Sequence, residues 1–143
     1  MKVRYKLLSK VVSAPVYKTD GAAGADLFAA ECVKVYPGKH CMIPLGVAFE
    51  IPEGYYGELA VRSSLGVKTP LFIPIGYGVI DSDYRGEVKL IVSNDSKYPY
   101  TVNAGDRVAQ IIFHKYEKAE LVESEELSST GRGDGGFGST GKN

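Results

Sequence analysis

Apolar and polar residues alternate with a period of two over several short stretches of the chain. Near the start, Val3, Tyr5 and Leu7 alternate with two basic residues, and a second alternating stretch covers residues 55–62. Successive side chains of a β-strand point to opposite faces, so each stretch predicts a half-buried strand.

Further β-rich stretches lie between turns that contain glycine or proline. They cover residues 25–29, 32–36, 42–51, 71–75, 88–92, 98–102 and 107–114. Pro44 and Gly46 should bend residues 42–51, and residues 63–68 should form a short loop or one helical turn. The turns at residues 37–38 and 103–105 each predict a β-hairpin. Short strands separated by turns that contain glycine or proline indicate an all-β sandwich or barrel.

Length and charge narrow the class of protein. A chain of 143 residues suits one domain with its own core. Its 17 Lys and Arg residues balance 17 Asp and Glu residues, which argues against broad nucleic-acid binding, since that requires a basic surplus. No apolar run approaches the ~20 residues of a transmembrane helix, and charges interrupt the first residues, so no secretory signal is expected. We therefore expect a protein of the cytoplasm or nucleus, not secreted, that binds neither nucleic acid nor membrane.

Cys32 and Cys41 are the only two cysteines. Across the hairpin predicted at residues 37–38 they would be diagonal neighbours, roughly 7–8 Å apart, which is longer than a disulfide normally spans. Both are therefore expected to be reduced, as in a reducing compartment. Neither has a histidine at a spacing typical of a zinc site.

The C-terminal residues 128–143 differ in composition and read SSTGRGDGGFGSTGKN. Such a glycine-rich segment cannot build a core, so we expect a domain over residues 1–127 and a flexible arm that a ligand orders. Within the domain, residues 117–127 are a weak candidate for a helix. Phe137 is a lone aromatic in the arm and suits a lid that closes on a flat ligand. The alternative is a disordered tail with an incidental phenylalanine.

Residues 76–87, GYGVIDSDYRGE, combine several chemical groups in one short segment. Val79 and Ile80 predict a buried strand, and Asp81 follows at once, at the mouth of the core. Tyr84 adds an aromatic face, and the two flanking glycines let the backbone approach a ligand closely. A tight hairpin without a ligand is the alternative, because aspartate, serine and glycine are common turn residues.

Three more segments carry candidate chemistry. Arg62, Ser63 and Ser64 offer a guanidinium fork and two hydroxyl donors, which suit phosphate binding; the alternative is a turn with a surface arginine. Asp26 lies on an otherwise apolar strand and either serves a site or bonds local backbone. Gln110 is flanked by apolar residues, and its amide needs partners if it is buried.

Together with the arm, these segments resemble the trimeric dUTP diphosphatase (dUTPase) family. The chain is similar to its five ordered motifs in AGADLFA (23–29), RSSLG (62–66), GYGVIDSDYRGE, GDRVAQIIF (105–113) and RGDGGFGSTG (132–141). The resemblance implies a distorted jelly-roll fold and a homotrimer with active sites shared between subunits. It also implies Mg²⁺-dependent hydrolysis of dUTP to dUMP and pyrophosphate, which limits uracil incorporation into DNA and supplies dUMP for thymidylate synthesis.

The resemblance also implies roles for single residues. Asp81 would activate the water that attacks the α-phosphate, and Asp26 would hold a water of the Mg²⁺ shell. Tyr84 would lie against the deoxyribose. The residues that would contact the phosphate chain are Arg62, Ser63, Ser64 and Gln110. Those that would contact uracil are Gly78, Val79, Ile80 and Lys89. The arm would add substrate contacts from Arg132, Phe137 and Gly138.

The chain departs from the family pattern at two positions. Ile75 stands where many bacterial members carry asparagine, and Tyr77 is bulkier than expected between two glycines. Both affect the expected shape of the uracil-binding hairpin. Two other functions remain compatible with the residues: a dCTP deaminase-like enzyme of the same fold, and a non-catalytic interaction or signalling protein built on a jelly roll.

Overall fold

The computed structural model describes residues 1–136 as a β-structure with one short helix. The elements in this range are β1 (Arg4–Leu7), β2 (Ala25–Phe28), β3 (Val33–Val35), β4 (His40–Pro44), β5 (Val47–Glu50), β6 (Tyr55–Val61), α1 (Ser63–Lys68), β7 (Leu71–Phe72), β8 (Gly78–Ile80), β9 (Lys89–Asn94), β10 (Tyr100–Val102) and β11 (Arg107–Lys115). None of the helices in the described part is long and apolar enough to cross a membrane.

The strands form a sandwich of antiparallel sheets, as the sequence predicts. A four-stranded sheet has the order β2-β11-β6-β8 and a three-stranded sheet has the order β4-β9-β7, with the smaller pairs β1-β5 and β10-β3 beside them. The core between them is mostly aliphatic, and its largest fully buried side chains include Leu27, Ile43, Leu45, Leu90 and Ile111. The alternating pattern of the strands explains this core, because each strand turns one face inward. The fold is therefore the expected jelly-roll type of β-sandwich.

The predicted bend in residues 42–51 is confirmed, and it occurs at Gly46. β4 ends at Pro44 and β5 begins at Val47. Gly46 has a φ of 60°, in the left-handed region that favours glycine. A Cβ there would approach the Cβ of Ser9 to 2.9 Å, so the corner also has no room for a side chain.

The two hairpin predictions are wrong. β3 pairs with β10 and β4 pairs with β9, so the turn at residues 37–38 carries the chain from one sheet to another. The turn at residues 103–105 likewise joins β10 to β11, which pairs with β2 and β6. Turn residues mark where a chain reverses but not which strand it meets next. Since β3 and β4 are not paired, Cys32 and Cys41 are not cross-strand neighbours, and both are free as expected.

Three smaller predictions also differ from the structure. All four residues of β1 are exposed, because within residues 1–136 β1 pairs only with β5 and no other element covers it. β7 stops at Phe72 instead of continuing to residue 75. Residues 117–127 form no helix and are exposed, in keeping with apolar residues that do not recur at helical spacing.

We expect Gly46→Ala to destabilise the protein more than Gly38→Ala. Both glycines have positive φ, 60° and 66°, so each substitution adds backbone strain of about 1–2 kcal/mol. Only a Cβ added at Gly46 meets neighbours, and overpacking against Ser9 and Val12 adds a further ~1–3 kcal/mol. Nothing lies within 4 Å of a Cβ added at Gly38. Urea unfolding at one fixed protomer concentration measures both. Equal shifts in the two midpoints would show that the Gly46 corner has room to relax.

Candidate active site

The first group of candidate residues lies at the end of β8. β8 pairs with β6 so that Ile80 is opposite Gly57, and Asp81 follows immediately where the pairing stops. The backbone N–H of Tyr84 donates to the carbonyl of Asp81 at 3.2 Å and closes a turn. The Asp81 carboxylate is therefore held at the rim of the sheet and is exposed.

A cavity of about 390 Å³ lies beside this turn. It is lined by Met42, Val79, Ile80, Asp81, Tyr84, Glu87, Val88, Lys89 and Ile91. The structure thus brings together most of the residues to which the sequence assigns the base, the sugar and the attacking water. Val79 is 54% exposed, which corrects the prediction that it is buried. β8 is an edge strand of its sheet, so the outward side chain faces the cavity instead of the core.

Tyr84 is fixed by its own turn. Its hydroxyl donates to the carbonyl of Glu87 at 3.1 Å, and a Cβ at Gly86 would come within 2.4 Å of the Tyr84 hydroxyl oxygen. The Glu87 carboxylate accepts a hydrogen bond from the backbone N–H of Gly46 at 2.9 Å. The aromatic wall of the cavity is therefore tied to the corner between β4 and β5.

Ile75 and Tyr77, the two departures from the family pattern, lie before β8. Both are exposed, and neither borders the cavity beside Tyr84. The side chains of Ile75 and Tyr77 therefore do not shape that cavity.

The second group lies at the other end of β6. Arg62 directly precedes α1, and Ser63 and Ser64 begin that helix. An Arg62 Nη1 lies 3.4 Å from Ser64 Oγ, and its Nε lies 2.8 Å from Oδ1 of Asp26. The guanidinium is therefore oriented by contacts on two sides.

Gln110 belongs to the same group. Its Cα partner on β2 is Asp26, so the two side chains share one face of the sheet. Its Nε2 donates to the carbonyl of Val61 at 3.4 Å, the backbone partner that the sequence leaves open as an alternative. A Cβ at Gly24 would come within 2.7 Å of Gln110 Oε1, so glycine there makes room for the amide.

Asp26 is buried and has two basic partners. Its Oδ1 pairs with Arg62 at 2.8 Å and its Oδ2 with Nη1 of Arg107 at 3.2 Å. Its side chain is 7% exposed. Sequence reasoning missed Arg107, because simple alternation along β11 places it on the core side with Ala109 and Ile111.

The two groups are far apart within one chain. Ile80 is opposite Gly57, and Arg62 lies five residues further along the β6 direction. At the rise of an antiparallel strand this is roughly 17 Å. A single chain therefore places the two groups of candidate residues, one around Asp81 and one around Arg62, at opposite ends of β6.

The remaining expectations concern the C-terminal arm and a metal ion. Arg132 is exposed, and its Nε donates to the carbonyl of Gly135 at 2.8 Å. Phe137 and Gly138 lie outside the described residues. Among residues 1–136 no group of three His, Cys, Asp or Glu side chains could hold a metal ion. Each oxygen of Asp26 contacts one guanidinium group. A carboxylate has about four acceptor sites, so the expected contact of Asp26 to a metal-bound water stays a prediction.

Comparison with known proteins gives one consistent result. The family model named dUTPase matches residues 10–141. A deoxyuridine 5'-triphosphate nucleotidohydrolase of Anaeromyxobacter sp. is 48% identical over 128 residues, which is 90% of this chain and 87% of the relative. The enzyme of the same name from Nautilia profundicola is 43% identical over 142 residues, 99% of this chain and 100% of the relative.

Solved structures agree with this match. A mutant dUTPase of Staphylococcus bacteriophage 80alpha with dUpNHpp has a TM-score of 0.90 at 32% identity, covering 99% of both chains. A mutant dUTPase of the S. aureus phage phi11, described with a structural Mg(II) ion, has a TM-score of 0.81 at 29% identity over 89% of this chain and 99% of that one.

Proposed function

The chain belongs to the dUTPase family, which hydrolyses dUTP to dUMP and pyrophosphate, and on that premise we propose how its own residues carry out the reaction. The observation that carries the assignment is the cavity that joins Asp81, Tyr84 and Lys89. It offers a carboxylate, an aromatic wall and a cation within one small space. The family match favours this hydrolysis over the deaminase-like alternative.

Asp81 is the general base. Hydrolysis at the α-phosphorus needs a water that loses a proton as it attacks, and a carboxylate at the rim of the cavity accepts that proton. The backbone of residues 78–80 pairs with the uracil edge, helped by Lys89. Tyr84 packs against the deoxyribose, where its fixed ring leaves no room for a 2′-hydroxyl.

Arg62, Ser63, Ser64 and Gln110 bind the phosphate chain. A guanidinium fork and two hydroxyls donate to phosphate oxygens, and these donors stabilise the charge that develops on the leaving pyrophosphate. Arg62 is held by Asp26 before substrate arrives, so it needs little reorganisation during the reaction.

Mg²⁺ is the cofactor, and when bound it neutralises negative charge on the phosphate chain. Residues 1–136 offer no cage of protein ligands for it. Phosphate oxygens and water would serve as its ligands, which is the usual mode for this ion.

The active enzyme is a homotrimer whose sites are shared between subunits. The half-sites around Asp81 and Arg62 are roughly 17 Å apart within a chain, too far for both to act on one α-phosphate. A rotational arrangement of identical chains brings the Asp81 half-site of one subunit to the Arg62 half-site of another. Exposed Leu121, Val122 and Leu127 (94%, 76% and 89%) are further apolar surface for a neighbouring subunit to cover.

Residues 128–143 act as a lid on the jelly-roll domain of residues 1–127. Arg132 pairs with the terminal phosphates, and Phe137 stacks on uracil with Gly138 beside it. We place the enzyme in the cytoplasm or nucleus, where two free cysteines suit a reducing environment.

Asp81→Asn should lower kcat by roughly 10²–10⁴ while a non-hydrolysable dUTP analogue still binds, because the amide keeps the shape but accepts no proton. Pyrophosphate release under saturating dUTP measures this, and Asp83→Asn is the matched control. An inactive Asp83→Asn beside a fully active Asp81→Asn would assign the base to the other carboxylate.

Mixing two inactive variants should restore activity. Co-expressed Asp81→Asn and Arg62→Ala chains, each with its own tag, form mixed trimers in which some sites receive both intact residues. Random assortment predicts up to about one quarter of wild-type activity per subunit. Purified mixed trimers with no activity, or a wild type that sediments only as a monomer, would contradict shared sites.

Truncation after residue 127 should leave the trimer folded and slow turnover strongly, since no core residue is lost but the phosphate chain is less ordered and less shielded from water. Phe137→Ala should cause part of the same loss of activity, because removing a ring that stacks on uracil costs roughly 1–3 kcal/mol of substrate stabilisation. Steady-state kinetics with sedimentation as a control test this. A truncated trimer with unchanged kcat would remove the lid from the mechanism.

A further inference from the structure

A β-bulge in β11 redirects one arginine. In the pairing with β2, Arg107 is opposite Phe28 while Ala109 is opposite Leu27, so Val108 is an extra residue. Without the bulge, Arg107 would lie on the same face as Ala109, whose side chain is fully buried in the core. Bulges commonly re-aim side chains beside active sites. Here the bulge turns Arg107 to the face that carries Asp26.

Asp26 holds two guanidinium groups at once. One carboxylate oxygen contacts Nε of Arg62 and the other contacts Nη1 of Arg107, at 2.8 and 3.2 Å. The carboxylate is 7% exposed, whereas the two arginine side chains are 25% and 41% exposed. Each guanidinium therefore keeps N–H donors that face solvent. The cluster carries two positive charges against one negative charge.

Both arginines border the same cavity. This space of about 530 Å³ is also lined by Ser64, Lys68 and Asp106. Oδ2 of Asp106 accepts a hydrogen bond from the backbone N–H of Asn103 at 2.8 Å and closes the preceding turn. Three cations and the hydroxyls of Ser64, Thr69 and Tyr100 thus line the cavity together with one acidic side chain, which is already hydrogen-bonded on one oxygen. An oxyanion chain is the ligand that such a surface favours.

We propose that Arg107 is a further phosphate-binding residue of the dUTP site and that Asp26 is the positioning residue that aims Arg62 and Arg107 at the phosphate chain. This inference rests on the proposed function and adds a residue to its substrate contacts. It also gives Asp26 a role that does not require a metal ion, because each of its oxygens contacts one of the two guanidinium groups.

Binding measurements on Arg107→Met test the first part. A dUTP analogue with an imido bridge should bind roughly 10- to 100-fold more weakly, the loss expected for a charge-assisted contact to phosphate. 2′-Deoxyuridine, which lacks phosphate, should bind as it does to the wild type. Arg107→Lys should fall between the two proteins, because it keeps the charge but not the fork. Lys34→Met, which removes an exposed charge on the separate β10-β3 sheet, is the control.

Two results would overturn the role of Arg107. One is an Arg107→Met protein that binds the analogue as tightly as Lys34→Met does. The other is an equal loss of analogue and deoxyuridine binding, which would indicate a structural effect. A wild-type protein that fails to bind the analogue would instead contradict the proposed function itself.

Asp26→Asn tests the positioning role, with thermal unfolding as a check on folding. Removing a negative charge makes the site more positive, which by itself favours anion binding. Because Asp26→Asn weakens the contacts that orient Arg62 and Arg107, it should nevertheless lower kcat by roughly tenfold or more. The Mg²⁺ concentration that gives half-maximal rate should be unchanged. In an Arg107→Met background the same substitution should have a smaller effect, because the two residues act together.

The positioning role would be contradicted by either of two outcomes. A kcat that recovers fully at high Mg²⁺ would assign Asp26 to the metal instead. Strictly additive effects of Asp26→Asn and Arg107→Met would show that the carboxylate does not act through that arginine.

Discussion

The pairing of β6 with β11 is the constraint on which the rest of the structure depends. The register runs without interruption from Tyr55 opposite Lys115 to Val61 opposite Ala109. β8 joins one edge of this pair and β2 joins the other, so the β8 turn and the Asp26 strand both take their positions from it. Buried side chains on the inner face, such as Leu59 and Ile111, hold the register because a slip by one residue would expose them.

The same pairing holds the two groups of candidate residues apart within one chain. The cavity proposed to bind the base and the sugar lies beside the first residues of β6, and the group proposed to bind phosphate follows its last residue. A straight strand cannot bring its two ends together, so one chain holds complementary halves of a site. In the proposed homotrimer, assembly of identical chains is part of catalysis. The exposed residues of β1 and of residues 117–127 are surface that such an assembly can cover.

Local features of the fold could be predicted from the sequence. The bend at Gly46 and the helical turn after Arg62 both follow from nearby residues. Strand partners could not be predicted, because the turns at residues 37–38 and 103–105 carry no information about the sheet that the chain enters next. The candidate residues at Asp81 and Arg62 were recognisable as motifs. Arg107 was not, because a bulge that depends on pairing with β2 reverses its side chain.

The central claim is that each active site joins Asp81 of one subunit to Arg62 of another. A crystal structure of the enzyme with Mg²⁺ and an imido-bridged dUTP analogue tests it most directly. The account predicts that the Asp81 carboxylate lies beside the water in line with the α-phosphorus, while the Arg62 and Arg107 guanidinium groups that contact the phosphate chain come from a different subunit. An analogue that contacts Asp81 and Arg62 of the same chain would contradict it.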